Sequence, residues 1–114
     1  MDGRDVLAWC RGQADVSEER PFGPETIVFK RDGKMFLALP AEERPDRVTL
    51  KNDPNLAEAL REQYPAITPG YHMNKRHWST IALDGSVPDA TLRQLVEDAW
   101  ALVGPKRRRP ATPD

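Results

Sequence analysis

The stretch "TIVFKRDGKMFLAL", residues 26–39, constrains the fold more than any other part of the chain. Two β-prone runs flank Asp32-Gly33. An Asp-Gly pair between two strands favours the type I′ turn, which needs positive φ at both central residues and matches the twist of the strands it joins. Strands are therefore predicted at 26–31 and 34–39, antiparallel and adjacent. A lone hairpin is marginal in water, so further strands or a helix must cover one of its faces.

The rest of the chain supplies them. In "RVTLKN", 47–52, Val48 and Leu50 alternate with Arg47, Thr49 and Lys51, the pattern of a strand with one wet face. A further strand is predicted over 77–83, closed by Asp84-Gly85. Val6, Leu7, Cys10 and Ala14 fall at helical spacing over 3–14, with Asp2 placed to cap. Asp53 and Pro54 open a short middle helix carrying Leu56, Leu60 and Tyr64. Pro88 or Asp89 opens the last helix, whose stripe of Leu92, Leu95, Val96, Ala99, Leu102 and Val103 ends at Gly104. "SEERPFGPE", 17–25, and the segment holding Pro65, Pro69 and Gly70 read as loops, because these residues break regular structure. The fold class is α+β: an antiparallel sheet, two long helices packed on one face, and a short middle helix. Residues 1–104 form one domain, and 105–114 are expected to be a disordered basic, proline-rich tail.

Totals exclude more than they assign. Apolar residues make up 39% of the chain and charged residues 31%, enough for one modest core under a well-solvated surface. The net charge of −1 gives no global attraction to nucleic acid or anionic membranes, so any such role must come from local clustering. Cys10 stands alone and cannot form an internal disulfide, which suits a reducing compartment. No signal peptide or window of 18 apolar residues is visible. A cytoplasmic monomer without cofactor or metal is expected.

Strand alternation decides which side chains face away from the helices. If Val48, Leu50, Ile81 and Leu83 point inward, then Lys30, Arg47, Thr49, Lys51, Trp78 and Thr80 share the open face, with Phe29 and Phe36 paired on the other. A one-residue slip would reverse this. The segment "HMNKRHW" adds His72, Asn74, Lys75, Arg76 and His77. One reading is a phosphate- and base-contacting surface, in which Lys75 and Arg76 meet phosphates and Trp78 stacks. The other is a strand entrance whose histidines bond a loop and whose tryptophan packs on a helix. A metal site at His72 and His77 is disfavoured, since a spacing of five on a strand sends the rings to opposite faces. Ser79 near His77 is the one local nucleophile candidate, with no carboxylate evidently behind the histidine. No glycine-rich phosphate loop is present, and an enzymatic step is not expected. Lys106–Arg109 could add non-specific attraction to a polyanion or serve only as a soluble end.

At "GYHMNKRHWSTIALDGSVPD" the chain resembles the MmcQ/YjbR family of small bacterial proteins with a frataxin-like (CyaY-like) fold. The hairpin "FKRDGKMFLAL", the block "TLKNDPNLAEALREQYPAITPGYHMNKRHW" and the closing "LDGSVPDATLRQLVEDAWALV" are similar to the corresponding family segments, so the likeness spans nearly the whole chain. The family pattern often carries a cysteine where Asn52 stands, a glutamate where Asn55 stands, and SY in place of Ala99-Trp100. The resemblance implies DNA binding, for which a double-wing arrangement has been suggested in the family. Lys30, Arg47, Lys51, His72, Asn74, Lys75, Arg76, His77 and Trp78 are then the candidate contacts. The alternative is a non-enzymatic module binding a protein or small ligand on the same face. Frataxins are tied to iron through an acidic first helix. Here Asp2, Asp5 and Asp15 are mixed with Arg4 and Arg11, which argues against that transfer.

Overall fold

The structure, a computed structural model, describes residues 1–70 and 74–104. His72 and the tail 105–114 lie outside the described residues.

Nine elements follow one another: α1 (Gly3–Arg11), β1 (Val16–Glu19), β2 (Thr26–Arg31), β3 (Lys34–Pro40), β4 (Arg47–Lys51), α2 (Pro54–Gln63), β5 (Ile67–Pro69), β6 (Trp78–Ala82) and α3 (Asp89–Leu102). The six strands form one antiparallel sheet in the order β1-β2-β3-β4-β6-β5. The α+β class and antiparallel sheet read from the sequence are the ones the chain adopts; the expected pair of long helices is corrected, since α1 ends at Arg11 with nine residues and is shorter than the ten-residue middle helix α2, leaving α3 as the long one.

Local chemistry accounts for the boundaries. Asp2 accepts from the Asp5 amide at 3.0 Å while the Asp5 side chain accepts from the Asp2 amide at 2.8 Å, a reciprocal cap on α1. Asp53 accepts from the amides of Asn55 and Leu56 at the start of α2, with Pro54 at the first helical position. The hairpin turn has φ of 53° at Asp32 and 78° at Gly33, as its sequence requires.

Two loop expectations are corrected. Residues 16–19 form the edge strand β1, held against β2, although Val16 is its single apolar residue. Residues 67–69 form the opposite edge strand β5. Pro69 is tolerated there because it closes an edge strand, where one ladder donor can be spared. The Phe29–Phe36 pairing is also corrected. Phe29 lies opposite Leu37, and the register shifts between Phe29 and Lys30, leaving Phe36 as the extra residue of a bulge. Both phenylalanines nevertheless reach the core.

That core lies between the sheet and the helices. Val6, Leu7 and Cys10 of α1, Ile27 and Phe29 of β2, Phe36, Leu37 and Leu39 of β3, Val48 and Leu50 of β4, Ile81 of β6, and Leu92, Leu95, Val96 and Ala99 of α3 form one buried cluster. Leu60 and Tyr64 of α2 pack at its margin. With one face so occupied, alternation places Glu19, Val28, Ala38, Thr49, Thr80 and Thr68, which are registered to one another across all six strands, on the other face.

Candidate functional site

Three polar residues occupy positions where the strand and helix periods call for apolar ones. Asn52 follows Val48 and Leu50 on the inward face, Ser79 precedes Ile81 there, and Arg61 stands four residues after the buried Ala57. Asn52 and Ser79 are 5% and 2% exposed, so each must find partners inside the protein. The Ser79 hydroxyl donates to Asn52 Oδ1, and Asn52 Nδ2 donates to the Arg76 carbonyl at 3.2 Å. Arg61 Nη2 donates to the carbonyls of Lys75 at 2.8 Å and Trp78 at 2.9 Å and to Ser79 Oγ at 2.9 Å. Arg61 Nε is buried without a partner among the described residues.

This network holds the turn that leads into β6. The Asn52 amide donates to the His77 carbonyl, and the Arg76 amide donates to Asn74 Oδ1 at 3.0 Å, an Asx turn. The His77 amide closes the turn on the Asn74 carbonyl. Asn74 is therefore a turn-forming residue. The turn leaves Lys75 and Arg76 exposed at its tip, with their backbone carbonyls tied down beneath them.

Beside the tip, Trp78 and Lys51 are cross-strand neighbours on β6 and β4, both partly exposed; strand alternation sets both opposite the inward-facing Leu50 and Ser79, and Lys51, at the end of its strand, also lines the cavity between α2 and α3 beside Asp53 and Asp98. Gly70 donates its amide to the Trp78 carbonyl, and a Cβ at Gly70 would come within 2.8 Å of the Trp78 Cβ. Only glycine allows the chain to pass so close to the Trp78 Cβ and backbone. Lys51, Arg61, Lys75 and Arg76 thus gather at one corner of the sheet. None of the four has an ion pair among the described residues.

The other expected contacts stand apart. Lys30 is on the same face, but two strands from Lys51, roughly 10 Å away at the usual strand spacing. Its ammonium pairs with Glu19 at 3.1 Å, and this ammonium holds the Glu19 carboxyl below its ordinary range. Arg47 is at the far end of β4 from Lys51, roughly 13 Å along the strand, and pairs with Asp46 at 2.9 Å. Lys51, Lys75, Arg76, His77 and Trp78 come together, with Asn74 as their scaffold. Sequence reasoning did not single out Arg61; it took Ser79 only as a local nucleophile candidate and Asn52 only as a departure from the family pattern, and joined none of the three into a network. The available signal was a polar residue at each inward-facing position.

The acids of the first helix and of the turn and strand after it are committed elsewhere. Asp2 and Asp5 form the α1 cap, Glu18 takes a bidentate bond from Arg11 at 2.8 and 2.9 Å, and Asp15 pairs with Arg31 at 2.7 Å. Cys10 is buried, and desolvation pushes its thiol up to about 12, the opposite of what a nucleophile needs.

Comparison with known proteins gives a consistent result. A family model described as YjbR matches residues 12–102. An uncharacterised protein of Escherichia coli O157:H7, YbdF, is 42% identical over 83 residues, covering 73% of this chain and 68% of that protein. The uncharacterised YjbR of Escherichia coli K12 is 32% identical over 96 residues, covering 84% and 81%. Among solved structures, Deinococcus radiodurans DR2400, of the domain family DUF419, is similar with a TM-score of 0.81 and 37% identity over 90% of this chain and 79% of that one. A Pseudomonas syringae protein gives a TM-score of 0.75 at 31% identity over 90% of this chain and 99% of that one.

Proposed function

The chain belongs to the YjbR family, and from that premise we propose that it is a DNA-binding module with no chemical step of its own. The observation that carries the reading is the corner where Lys51 lies across from the partly exposed Trp78 and Lys75 and Arg76 stand exposed on the turn leading into it, with no carboxylate paired to any of the three cations among the described residues. Phosphate contact needs exposed cations whose charge is not already compensated. Lys30 and Arg47, each paired with an acid, contribute at most to the approach of a polyanion. Arg61 adds a fourth positive charge beneath the turn, where it faces carbonyl and hydroxyl oxygens.

The surface is small, so affinity should be modest and strongly salt-dependent. Titrating a labelled duplex and its separated strands against the protein at low salt tests the reading. Binding of at least one, weakening as salt rises, supports it; absence of binding to both overturns it. A second reading, a protein partner, is favoured by one separate observation. Leu56 and Leu102 are 43% and 49% exposed around a cavity of about 260 Å³ between α2 and α3. Charge reversal at Lys75 and Arg76 sharply weakens DNA binding and flattens its salt dependence under the first reading, and leaves a contact at the leucines untouched.

A further inference from the structure

We infer that the corner and the adjoining sheet surface of β3, β4, β6 and β5 take single-stranded DNA, an inference that rests on the DNA-binding reading and narrows it.

The helices give a duplex nothing to read. A helix entering the major groove must present a cationic or amide-bearing face to base edges. The inner stripe of α3 is consumed by the core, and its outer positions Arg93, Glu97 and Asp98 carry more negative than positive charge. On α2, Glu58 and Glu62 are exposed while Arg61 turns inward to the turn carbonyls. On α1, Arg4 is balanced by the capping acids and Arg11 is held by Glu18. The tip of the β2–β3 hairpin sets Asp32 beside Lys34. Among the described residues Arg4, Arg20, Lys34, Arg44 and Arg93 are also exposed without an ion pair, but they are spread over other parts of the surface, whereas Lys51, Lys75 and Arg76 occur together at one rim of the sheet.

The sheet face next to that rim has the form of a base platform. Ala38, Thr49, Thr80 and Thr68 are registered side by side across β3, β4, β6 and β5, so the surface is low and carries no charge. It spans roughly 14 Å across these four strands and roughly 13 Å along β6, room for two or three stacked bases. Trp78 stands at its cationic edge, placed to take the first base on its ring while Lys51, Lys75 and Arg76 hold the backbone. The hydroxyls offer few free donors to a ribose. Thr49 Oγ1 and Thr80 Oγ1 bond each other at 2.9 Å, and Thr68 Oγ1 donates to the Thr80 carbonyl at 3.2 Å. Two of the three hydroxyl protons on this platform are therefore spent within the sheet and unavailable to a ribose 2′-OH.

Fluorescence anisotropy of end-labelled oligonucleotides with the full chain tests the inference, using a ten-nucleotide thymidine strand, a ten-base-pair duplex and a ten-nucleotide uridine strand. The thymidine strand should bind several-fold tighter than either of the others. About three phosphate contacts give a slope of log affinity on log salt near −2, or about a 20-fold loss between 50 and 200 mM salt. Trp78→Ala should weaken binding about tenfold, and Trp78→Phe, which keeps a ring, should recover most of it. Thermal melts of both variants separate loss of stacking from loss of fold. Equal or tighter binding of the duplex overturns the single-strand inference and leaves the DNA-binding reading standing. Tighter binding of the uridine strand overturns the choice of DNA. No binding to any of the three overturns both inference and reading.

Discussion

The molecule has two corners where an arginine lies close to a tryptophan, and they are built for opposite ends. At one, Arg31 stacks over Trp100 with its Cζ 3.6 Å from the ring centroid, donates to Asp15 at 2.7 Å and to the Trp100 carbonyl at 3.0 Å, and Trp100 Nε1 donates to the same Asp15. Trp9 meets Trp100 edge-on at 6.0 Å. The cation is compensated, and strand, loop and two helices are clamped together. At the other, among the described residues, Arg61 meets only carbonyl and hydroxyl oxygens and leaves Nε unpaired, while Lys51, Lys75 and Arg76 stand near Trp78 without a paired acid. All three indoles are partly exposed, so exposure does not distinguish the corners. Charge compensation does. A neutralised cation holds the fold together; a set of cations left uncompensated can still attract an anion.

The comparison can be broken in several places. The largest effect belongs to Arg61→Leu. It removes the donor to the Lys75 carbonyl and one of two partners from the Trp78 carbonyl and the Ser79 hydroxyl, and should cost about 1–3 kcal/mol in chemical denaturation while also abolishing DNA binding. Lys75→Glu with Arg76→Glu should leave the melting curve nearly unchanged and drive the salt slope from about −2 to above −1, read by anisotropy. Arg31→Leu inverts that pattern: loss of the stack over Trp100 should cost about 1–2 kcal/mol of stability, with DNA affinity retained. If Arg31→Leu weakened binding as much as the charge reversal does, the division into a stabilising and a binding corner would fail.

Two smaller effects follow from titration. Arg31 holds Asp15, and Arg11 holds Glu18, below their ordinary values of 3.8 and 4.5. Groups depressed in the native state contribute stability at neutral pH that is lost as the pH falls below those values and through the native ones, so acid should loosen the Arg31 corner. Denaturant midpoints at pH 6 and pH 3.5 measure it, and Arg31→Leu should flatten the dependence. For Cys10 the sign is the reverse. The thiol stays protonated in the native chain to about 12 while the unfolded chain ionises near 9.0, so stability declines as the pH rises past 9.0. At pH 8 the native thiol should not react with a thiol reagent and should react fully once the chain is unfolded.

Most of the scaffold was legible because its signals are local. Asp32-Gly33 dictates a turn, Asp53-Pro54 dictates a helix start, and the alternation around Val48 and Ile81 dictates which face is inward. The edge strands were hidden for physical reasons: β1 carries one apolar residue in four and β5 ends on a proline, and both exist because a neighbouring strand offers them a ladder. The bulge at Phe36 left no trace in composition, since either register buries a phenylalanine. The candidate site was half legible. Lys51, Lys75, Arg76 and Trp78 were readable as exposed, but the separation of Lys30 and Arg47 from them depends on strand order. Asn52, Arg61 and Ser79 connect residues far apart in sequence. Asn52 and Trp100 also stand where the chain departs from the family pattern, and each takes a defined bonding role in its own corner.

The most direct test is a ¹⁵N–¹H correlation spectrum of the whole chain titrated with the ten-nucleotide thymidine strand, because the three indole N–H signals report on both corners at once. The account predicts that the Trp78 indole and the backbone amides from Asn74 to Thr80 shift progressively and saturably, while the Trp9 and Trp100 indoles stay in place. Shifts centred on Trp100, or none at any indole, would contradict it.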